Sequence, residues 1–361
     1  MLRAALIGLP SSGKTTLFQL MTSVHDAPRG KGDVHIGISR VPDARLDVLT
    51  AMYNPRKRVP ATVEFTDLVA VRSGAQALVD VAGYKNADAL VHVARAFRSA
   101  TVAHPSGSID PARDAQAMED ELILADLGVA ERRVERIDKD LKRGKSAELD
   151  KERDLVQRCR TALEEGTPLR ALELSEGDRK LLRGFQFLSA KPLLLVINLD
   201  EADVSAVGSS VERAAERTGL TGFLAHAATR AVALCATIEL EISQLEGADA
   251  TAFLSDLGLT ESGLDRVIRT SYDLLGYMSF FTVGEDECRA WSIARGTPAQ
   301  LAAGEIHSDI QRGFIRAEVV SYEALTTRGS MAACREHGEV RLEGKEYVVH
   351  DGDIINFRFA T

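Results

Sequence analysis

Leu2-Arg3-Ala4-Ala5-Leu6-Ile7 runs directly into Gly8-Leu9-Pro10-Ser11-Ser12-Gly13-Lys14-Thr15, and Thr16-Leu17-Phe18-Gln19-Leu20-Met21 follows. The first stretch has the length and apolar character of a short buried strand, and the last has helix-compatible spacing. Between them lies a complete G-x-x-x-x-G-K-[ST] pattern in the strand, loop and helix context that the motif requires. Its chemistry dictates its residue types. Glycines let backbone N–H groups curl around an anion, and the positive end of the following helix favours it. A lysine adds a point charge for the β- and γ-phosphates, and a Thr hydroxyl ligates Mg²⁺. Gly8, Pro10, Ser11, Ser12, Gly13, Lys14, Thr15 and Thr16 are therefore the candidate polyphosphate contacts, with Lys14 and Thr15 the candidate catalytic pair.

Working outward, Thr62-Val63-Glu64-Phe65-Thr66 reads as a strand ending at Asp67, where a P-loop protein places an acid to hold a magnesium-bound water. Thr15 and Asp67 form the candidate metal site. Ala89–Ala94 and Pro192–Ile197 are continuous apolar runs, as expected of a parallel sheet covered on both faces. His92, inside one of them, reads as a core histidine. The second run enters Asn198-Leu199-Asp200-Glu201, where GTPases carry N-K-x-D. Glu201 stands in place of the aspartate that grips guanine, and its longer side chain weakens that selectivity. A fifth strand, Ala231–Leu234, leads to Cys235-Ala236-Thr237-Ile238-Glu239, in the position of a base-contacting loop. Asn198, Glu201, Cys235 and Ala236 are the candidate base contacts.

Between the third and fourth strands, Leu127, Ala130, Val134, Ile137 and Leu141 recur at three- and four-residue steps, the seam of a coiled-coil helix. Gly144-Lys145-Ser146 makes a turn, and Leu149, Val156, Cys159 and Leu163 return as a second helix. The arm's surface is basic at Arg132, Arg133, Arg136, Lys139, Lys142, Arg143 and Lys145, with acids interleaved. That pattern suits either a solvated face of ion pairs or RNA contact near Lys142 to Lys145. From Ser279 onward short strands and turns indicate a small mixed β module, in which Thr297-Pro298-Ala299-Gln300 reads as a capping box.

The chain has 361 residues, 45% hydrophobic and 27% charged, which is ample for two or three globular domains. A net charge of −9 excludes a wholesale nucleic-acid binder and leaves only local basic patches. Cys159, Cys235, Cys288 and Cys334 form no C-x-x-C pair, so buried reduced thiols are expected rather than a zinc site or a disulfide framework. No stretch has the apolar length of a signal peptide core or of a membrane span, so a cytoplasmic location without membrane contact is expected.

At Gly8-Leu9-Pro10, Val41-Pro42-Asp43-Ala44-Arg45-Leu46-Asp47, Val63-Glu64-Phe65-Thr66-Asp67, Val91-His92-Val93 and Asn198 to Glu201, the chain resembles the Obg-like ATPases, or YchF family. The likeness continues through Gly263–Arg269, Arg289-Ala290-Trp291, Gly304–Asp309, Gly313–Ala317 and Asp351-Gly352-Asp353, and so spans nearly the whole length. It implies an α/β P-loop NTPase with a doubly wound, mostly parallel sheet, an inserted helical arm and a C-terminal TGS-like β-grasp domain. The expected division is 1–111 and 189–278 for the nucleotide-binding domain, 112–188 for the arm and 279–361 for the β-grasp. The resemblance also implies ATP over GTP, with N-x-x-E as its marker, Mg²⁺ as cofactor, association with the ribosome, and a hydrophobic residue, in the region of Val71, where many GTPases have a catalytic glutamine.

Departures from the family are as informative. Gly30–Ser39 lacks the switch threonine for Mg²⁺ and offers only the hydroxyl of Ser39. The D-x-x-G glycine is replaced, since the run is Asp67-Leu68-Val69-Ala70, and the glycine-rich loop after it is shortened to Val71–Leu78. Ser11 stands where the family has asparagine. These losses fall on the parts that sense and cleave the γ-phosphate. The expectation is a nucleotide-binding protein with slow or impaired hydrolysis, or alternatively a nucleotide-bound scaffold without turnover. A small-molecule kinase finds no support, because nothing after Lys14 supplies a lid of arginines.

Overall fold

The computed structural model describes residues 2–22, 34–68, 81–226 and 228–360. Gly30–Asp33 and Val69–Leu78, with Ala70 and Val71 among them, lie outside the described residues. The chain forms two compact units, one of Leu2–Ile38 with Glu64–Leu274, the other of Ser39–Val63 with Leu275–Thr361.

In the first unit, β1 (Arg3–Ile7) leads through the glycine-rich loop to α1 (Lys14–Thr22). Then come β2 (Val34–Arg40), α2 (Ala44–Tyr53), β3 (Lys57–Val59), β4 (Thr62–Leu68) and β5 (Ala89–Ala96), of which α2 and β3 belong to the second unit. β6 (Leu193–Leu199) and β7 (Thr229–Leu234) complete a sheet of order β2-β4-β1-β5-β6-β7. The pairs β1/β4, β1/β5, β5/β6 and β6/β7 are parallel. All seven residues of β6 are buried, so both faces of the central sheet are covered and alternation is absent, as the apolar run predicted. β4 runs through Asp67, where it was expected to end, to Leu68. β2 was not legible as a strand: it sits at the sheet's edge with Ile36 and Ile38 exposed and with Gly37 and Ser39 on the buried side, so no apolar stripe marks it.

The arm is α3 (Pro111–Leu141) and α4 (Ala147–Glu164). Asp110 caps α3 by accepting from the Arg113 N–H, with Pro111 in the first turn, and Ser146 caps α4 by accepting from Leu149. Ile123, Ala130 and Val134 pack on Leu155, Val156, Cys159 and Leu163, with Leu127 partly covered. Each such fully buried branched side chain contributes about 1.5–3 kcal/mol. Across the outside of the seam Arg133 pairs with Glu152 at 2.7 Å and Arg153 with Asp138 at 2.6 Å. Arg133 is thus engaged within the hairpin, whereas Lys142, Arg143 and Lys145 are exposed at the turn.

The second unit contains β8 (Tyr277–Thr282), β9 (Glu287–Ala294), β10 (Phe314–Val320), β11 (Arg341–Glu343) and β12 (Ile354–Phe359) in the order β11-β10-β12-β8-β9-β3. The β8/β9 hairpin is antiparallel, β12 returns parallel to β8, and β10 is antiparallel to both β12 and β11. A helix, Ala299–Ile306, lays Ala299, Ala302 and Ala303 on a core of Met278, Phe280, Ile293, Phe314, Val319 and Phe357, completing a β-grasp. The expected capping box does not form. Thr297 donates its hydroxyl to the Ala294 carbonyl, and Pro298 occupies the cap position without a side-chain bond. Residues 39–63, which sequence alone assigns to the nucleotide-binding part, join this unit because β3 runs parallel to β9, pairing Lys57 with Glu287 and Val59 with Arg289.

All four cysteines are buried and free. Among the described residues, no helix is long and apolar enough to cross a membrane.

Candidate functional site

The loop between β1 and α1 turns through three left-handed residues, Gly8 at φ 139°, Ser11 at φ 64° and Gly13 at φ 98°. A Cβ on Gly8 would stand 2.6 Å from the Val93 carbonyl oxygen, and one on Gly13 would stand 2.4 Å from Asn198 Nδ2, so both positions require glycine on space as well as conformation. The first bond of α1 runs from the Leu17 N–H to the Gly13 carbonyl, 3.0 Å. The N–H groups of Lys14, Thr15 and Thr16 therefore have no acceptor inside the helix and stand at its positive end.

Ser11 is the strained corner. A β-carbon in this region costs about 1–2 kcal/mol, and asparagine tolerates it best among side-chain-bearing residues. Ser11→Asn is expected to stabilise the ligand-free protein by about 0.5 kcal/mol, seen as a small rise in thermal midpoint. A lower midpoint would remove the claim that the serine is strained.

Lys14 Nζ donates to the carbonyls of Gly8 at 2.7 Å and Leu9 at 2.8 Å, closing the loop on itself and leaving its third N–H for an anion. Burial lowers its pKa to about 8, against the opposing attraction of Asp67. Thr15 Oγ1 donates to Asp67 Oδ2 at 2.9 Å, which brings together the two residues expected to hold magnesium. Asp67 is 1% exposed, and its Oδ1 has no hydrogen-bond partner among the described residues. Ser12 Oγ, also buried, has none either. A buried, half-satisfied carboxylate beside a threonine hydroxyl at the end of a phosphate loop is the donor set for a hard cation that takes its remaining ligands from phosphate and water. The residues fit Mg²⁺ bound together with a nucleotide, where the ion would neutralise charge on the phosphates. Among the described residues no group of three or more His, Cys, Asp or Glu side chains could hold a metal by itself.

Asn198, at the end of β6, is 2% exposed. Its Nδ2 donates to the Ser12 carbonyl at 3.0 Å and its Oδ1 accepts the Ala236 N–H at 3.0 Å. It is thus a clamp between the phosphate loop and the loop after β7. The N–H of Ala236, expected at the base, is engaged in this clamp, and Cys235 is a buried residue at the start of helix Ala236–Ile242. Glu201 is exposed at the first position of helix Glu201–Val207, capped by Asp200. Glu239, in the base-loop pattern, instead accepts from the Ser262 hydroxyl and the N–H groups of Gly263 and Leu264, holding the start of helix Gly263–Leu274. His92 is buried in β5, and burial, then Lys14 and Arg170, hold its pKa down at about 3, so it is a neutral core imidazole. Ser39 is buried within β2. Sequence reasoning missed the clamp role of Asn198, because the identity of a residue after a strand does not disclose which carbonyl it reaches.

Residues 277–360 match the YchF-GTPase_C family model, described as a protein of unknown function (DUF933). The chain is 42% identical over 367 residues, 99% of each chain, to the "Ribosome-binding ATPase YchF" of Bacillus subtilis (strain 168). It is 35% identical over 369 residues, again 99% of each, to the protein of that name from Escherichia coli O157:H7. Among solved structures, the YchF GTPase of Schizosaccharomyces pombe superposes with a TM-score of 0.83 at 27% identity, covering 99% of this chain and 97% of that one. With a phosphate loop, a parallel sheet, a helical arm and a β-grasp in one continuous full-length match, this chain belongs to the YchF family of P-loop NTPases.

Proposed function

We propose that this protein binds a Mg²⁺-purine nucleoside triphosphate at Gly8–Thr16, takes ATP in preference to GTP, hydrolyses it slowly, and acts on the ribosome in the cytoplasm. The observation that carries the nucleotide reading is the convergence of Lys14, the Thr15–Asp67 pair and the Asn198 clamp on one loop. Gly8, Pro10, Ser11, Ser12, Gly13 and Thr16 would line the phosphates, and Thr15 and Asp67 would hold the metal. Glu201, with Cys235 and Ala236 behind it, would border the base. ATP preference is supported by Glu201, one methylene longer than the aspartate that accepts two bonds from guanine. Slow turnover is supported by Ala70 at the glycine position of D-x-x-G and by the shortened loop Val71–Leu78. The ribosome enters through the names of the Bacillus and Escherichia relatives, and the arm and β-grasp domain are the parts assigned to it. The functional division proposed is 1–111 with 189–278, 112–188 and 279–361, with residues 39–63 packed in the same compact unit as 275–361.

Calorimetry with ATP, GTP, ADP and GDP, with and without Mg²⁺, tests this directly. Absence of binding by any purine nucleotide at millimolar concentration would end the proposal. Phosphate release that is slow and lost in Lys14→Ala supports the ATPase, whereas tight binding with no release selects the scaffold reading. Reversing Lys142, Arg143 and Lys145 to Glu is expected to reduce co-sedimentation with ribosomes most at low salt, by counterion release. Unchanged co-sedimentation would remove the arm's turn from the contact.

The lowered pKa of Lys14 sets a pH window. Between pH 7 and about 8 the amine is largely charged already, so Lys14 adds little pH dependence to polyphosphate affinity there. The phosphates raise its pKa in the complex, so above pH 8 binding must take up a proton. Affinity then falls by up to about tenfold per pH unit until the raised value is passed. Calorimetry between pH 7 and 9.5 should show this decline, and the Lys14→Ala protein should show none of it.

A further inference from the structure

Arg95, near the end of β5, is 3% exposed, and among the described residues its hydrogen-bond acceptors are all main-chain carbonyls. Nη1 donates to Ser11 at 3.3 Å and Ala103 at 3.4 Å, Nη2 to Val102 at 2.8 Å, and Nε to Phe97 at 3.3 Å. The guanidinium carbon lies 4.5 Å from the centre of the Phe97 ring. A buried cation is ordinarily paired with a carboxylate because desolvating it costs several kcal/mol. Here four hydrogen bonds go to carbonyls from two separate segments, one of them the strained corner of the phosphate loop. Asp114 favours its charge from a distance, but every bond the guanidinium makes among the described residues fixes the position of main chain.

The segment Arg95 holds is tied at two further points. The Arg98 N–H donates to Asp200 Oδ2 at 2.9 Å, beside Glu201. His104 Nε2 lies 2.8 Å from Asp114 Oδ2 with both side chains almost fully buried, a close contact without hydrogen-bond geometry, and the Ser106 N–H donates to His104 Nδ1. Asp114 lies in the first turn of α3 and also accepts from Arg113 Nε and Nη2. The 97–104 turn is therefore linked through Arg95 to the phosphate loop, through Arg98 to the end of β6 and through His104 to the root of the arm.

We propose that Arg95 is a positioning residue that locks Ser11 of the phosphate loop to the 97–104 turn, and that this turn, through His104 and Asp114, couples nucleotide occupancy to the root of the helical arm. The inference rests on the nucleotide reading above. The route runs through the hydrogen bonds of Arg95 and the buried His104–Asp114 contact, and measuring the coupling itself decides it. Lysine cannot replace Arg95, because a single ammonium cannot reach Ser11, Val102 and Phe97 from one position.

The experiment is amide hydrogen exchange on the full chain, with and without saturating Mg·ATPγS, alongside calorimetric affinity, for wild type, Arg95→Lys and Asp114→Asn. In wild type, nucleotide should slow exchange at 99–118 as well as at the phosphate loop. Arg95→Lys should weaken nucleotide binding by about tenfold and lose the response at 99–118. Asp114→Asn should keep affinity within about twofold while losing the response in α3. Should wild type bind nucleotide with no change at the arm's root, or Asp114→Asn keep the full response, the relay is wrong while the binding site stands. Absence of binding by wild type overturns both. If Arg95→Lys fails to fold, the wild-type and Asp114→Asn arms decide the question without it.

Discussion

Lys14→Ala is expected to weaken ATP binding by about 100-fold, a loss of ~2.7 kcal/mol, with no large change in the far-ultraviolet spectrum. A charge-assisted hydrogen bond to phosphate accounts for about 1.5–3 kcal/mol of this. The remainder comes from the loop itself. In the ligand-free protein the same amine bridges the Gly8 and Leu9 carbonyls, so its removal leaves two acceptors that no longer draw the turn together. Arginine should not restore affinity, because its planar fork is too large for an amine site bounded by these two carbonyls. Dissociation constants within about threefold of wild type would refute the assignment of Lys14 to the phosphates.

Asn198→Ala carries the second large effect, and it falls on stability first. The side chain is buried and makes two bonds, so its removal strands the Ser12 carbonyl and the Ala236 N–H and opens a small void beside Gly13. Unsatisfied buried groups cost about 1–3 kcal/mol each, which places the expected destabilisation near ~3 kcal/mol. Because the chain has two units, the readout is local: thermal unfolding followed by exchange in the β1, β6 and β7 peptides. Nucleotide affinity should fall with it, about tenfold, as the loop loses its brace. Asn198→Asp discriminates between bracing and base contact. The carboxylate still accepts from Ala236 but opposes the Ser12 carbonyl, so bracing predicts equal weakening for ATP and GTP. A selective loss of one base would instead place Asn198 at the purine.

Where one residue type answers one local need, sequence and structure agree. The phosphate loop is legible because glycine at positions 8 and 13 and lysine at 14 are each demanded by space or charge. The central strands are legible because continuous burial leaves no alternation. The hairpin seam is legible because Ala130, Val134, Val156 and Cys159 keep helical spacing and all are buried. What escaped notice depends on distant partners. β3 has three residues and exists as a strand through β9, some 230 positions away. Glu239 fits a base-loop pattern but caps a helix starting at Gly263, and Thr297 fits a capping box but bonds the preceding turn. In both cases the local pattern was compatible with two acceptors, and tertiary packing chose. Arg95 carried no signal at all, since a charged residue ending an apolar strand looks like the start of a loop.

The completion of the C-terminal sheet by Lys57–Val59 has a temporal side. During synthesis that segment leaves the ribosome long before its neighbour Glu287–Ala294 has been made, so an early piece of chain must wait unpaired while about two hundred residues fold beyond it. Final assembly of this module is therefore a late, long-range event, slower than closure of the helical hairpin. An isolated fragment beginning at Ser279 would lack β3 and the first residues of β8, exposing the β9 margin to self-association.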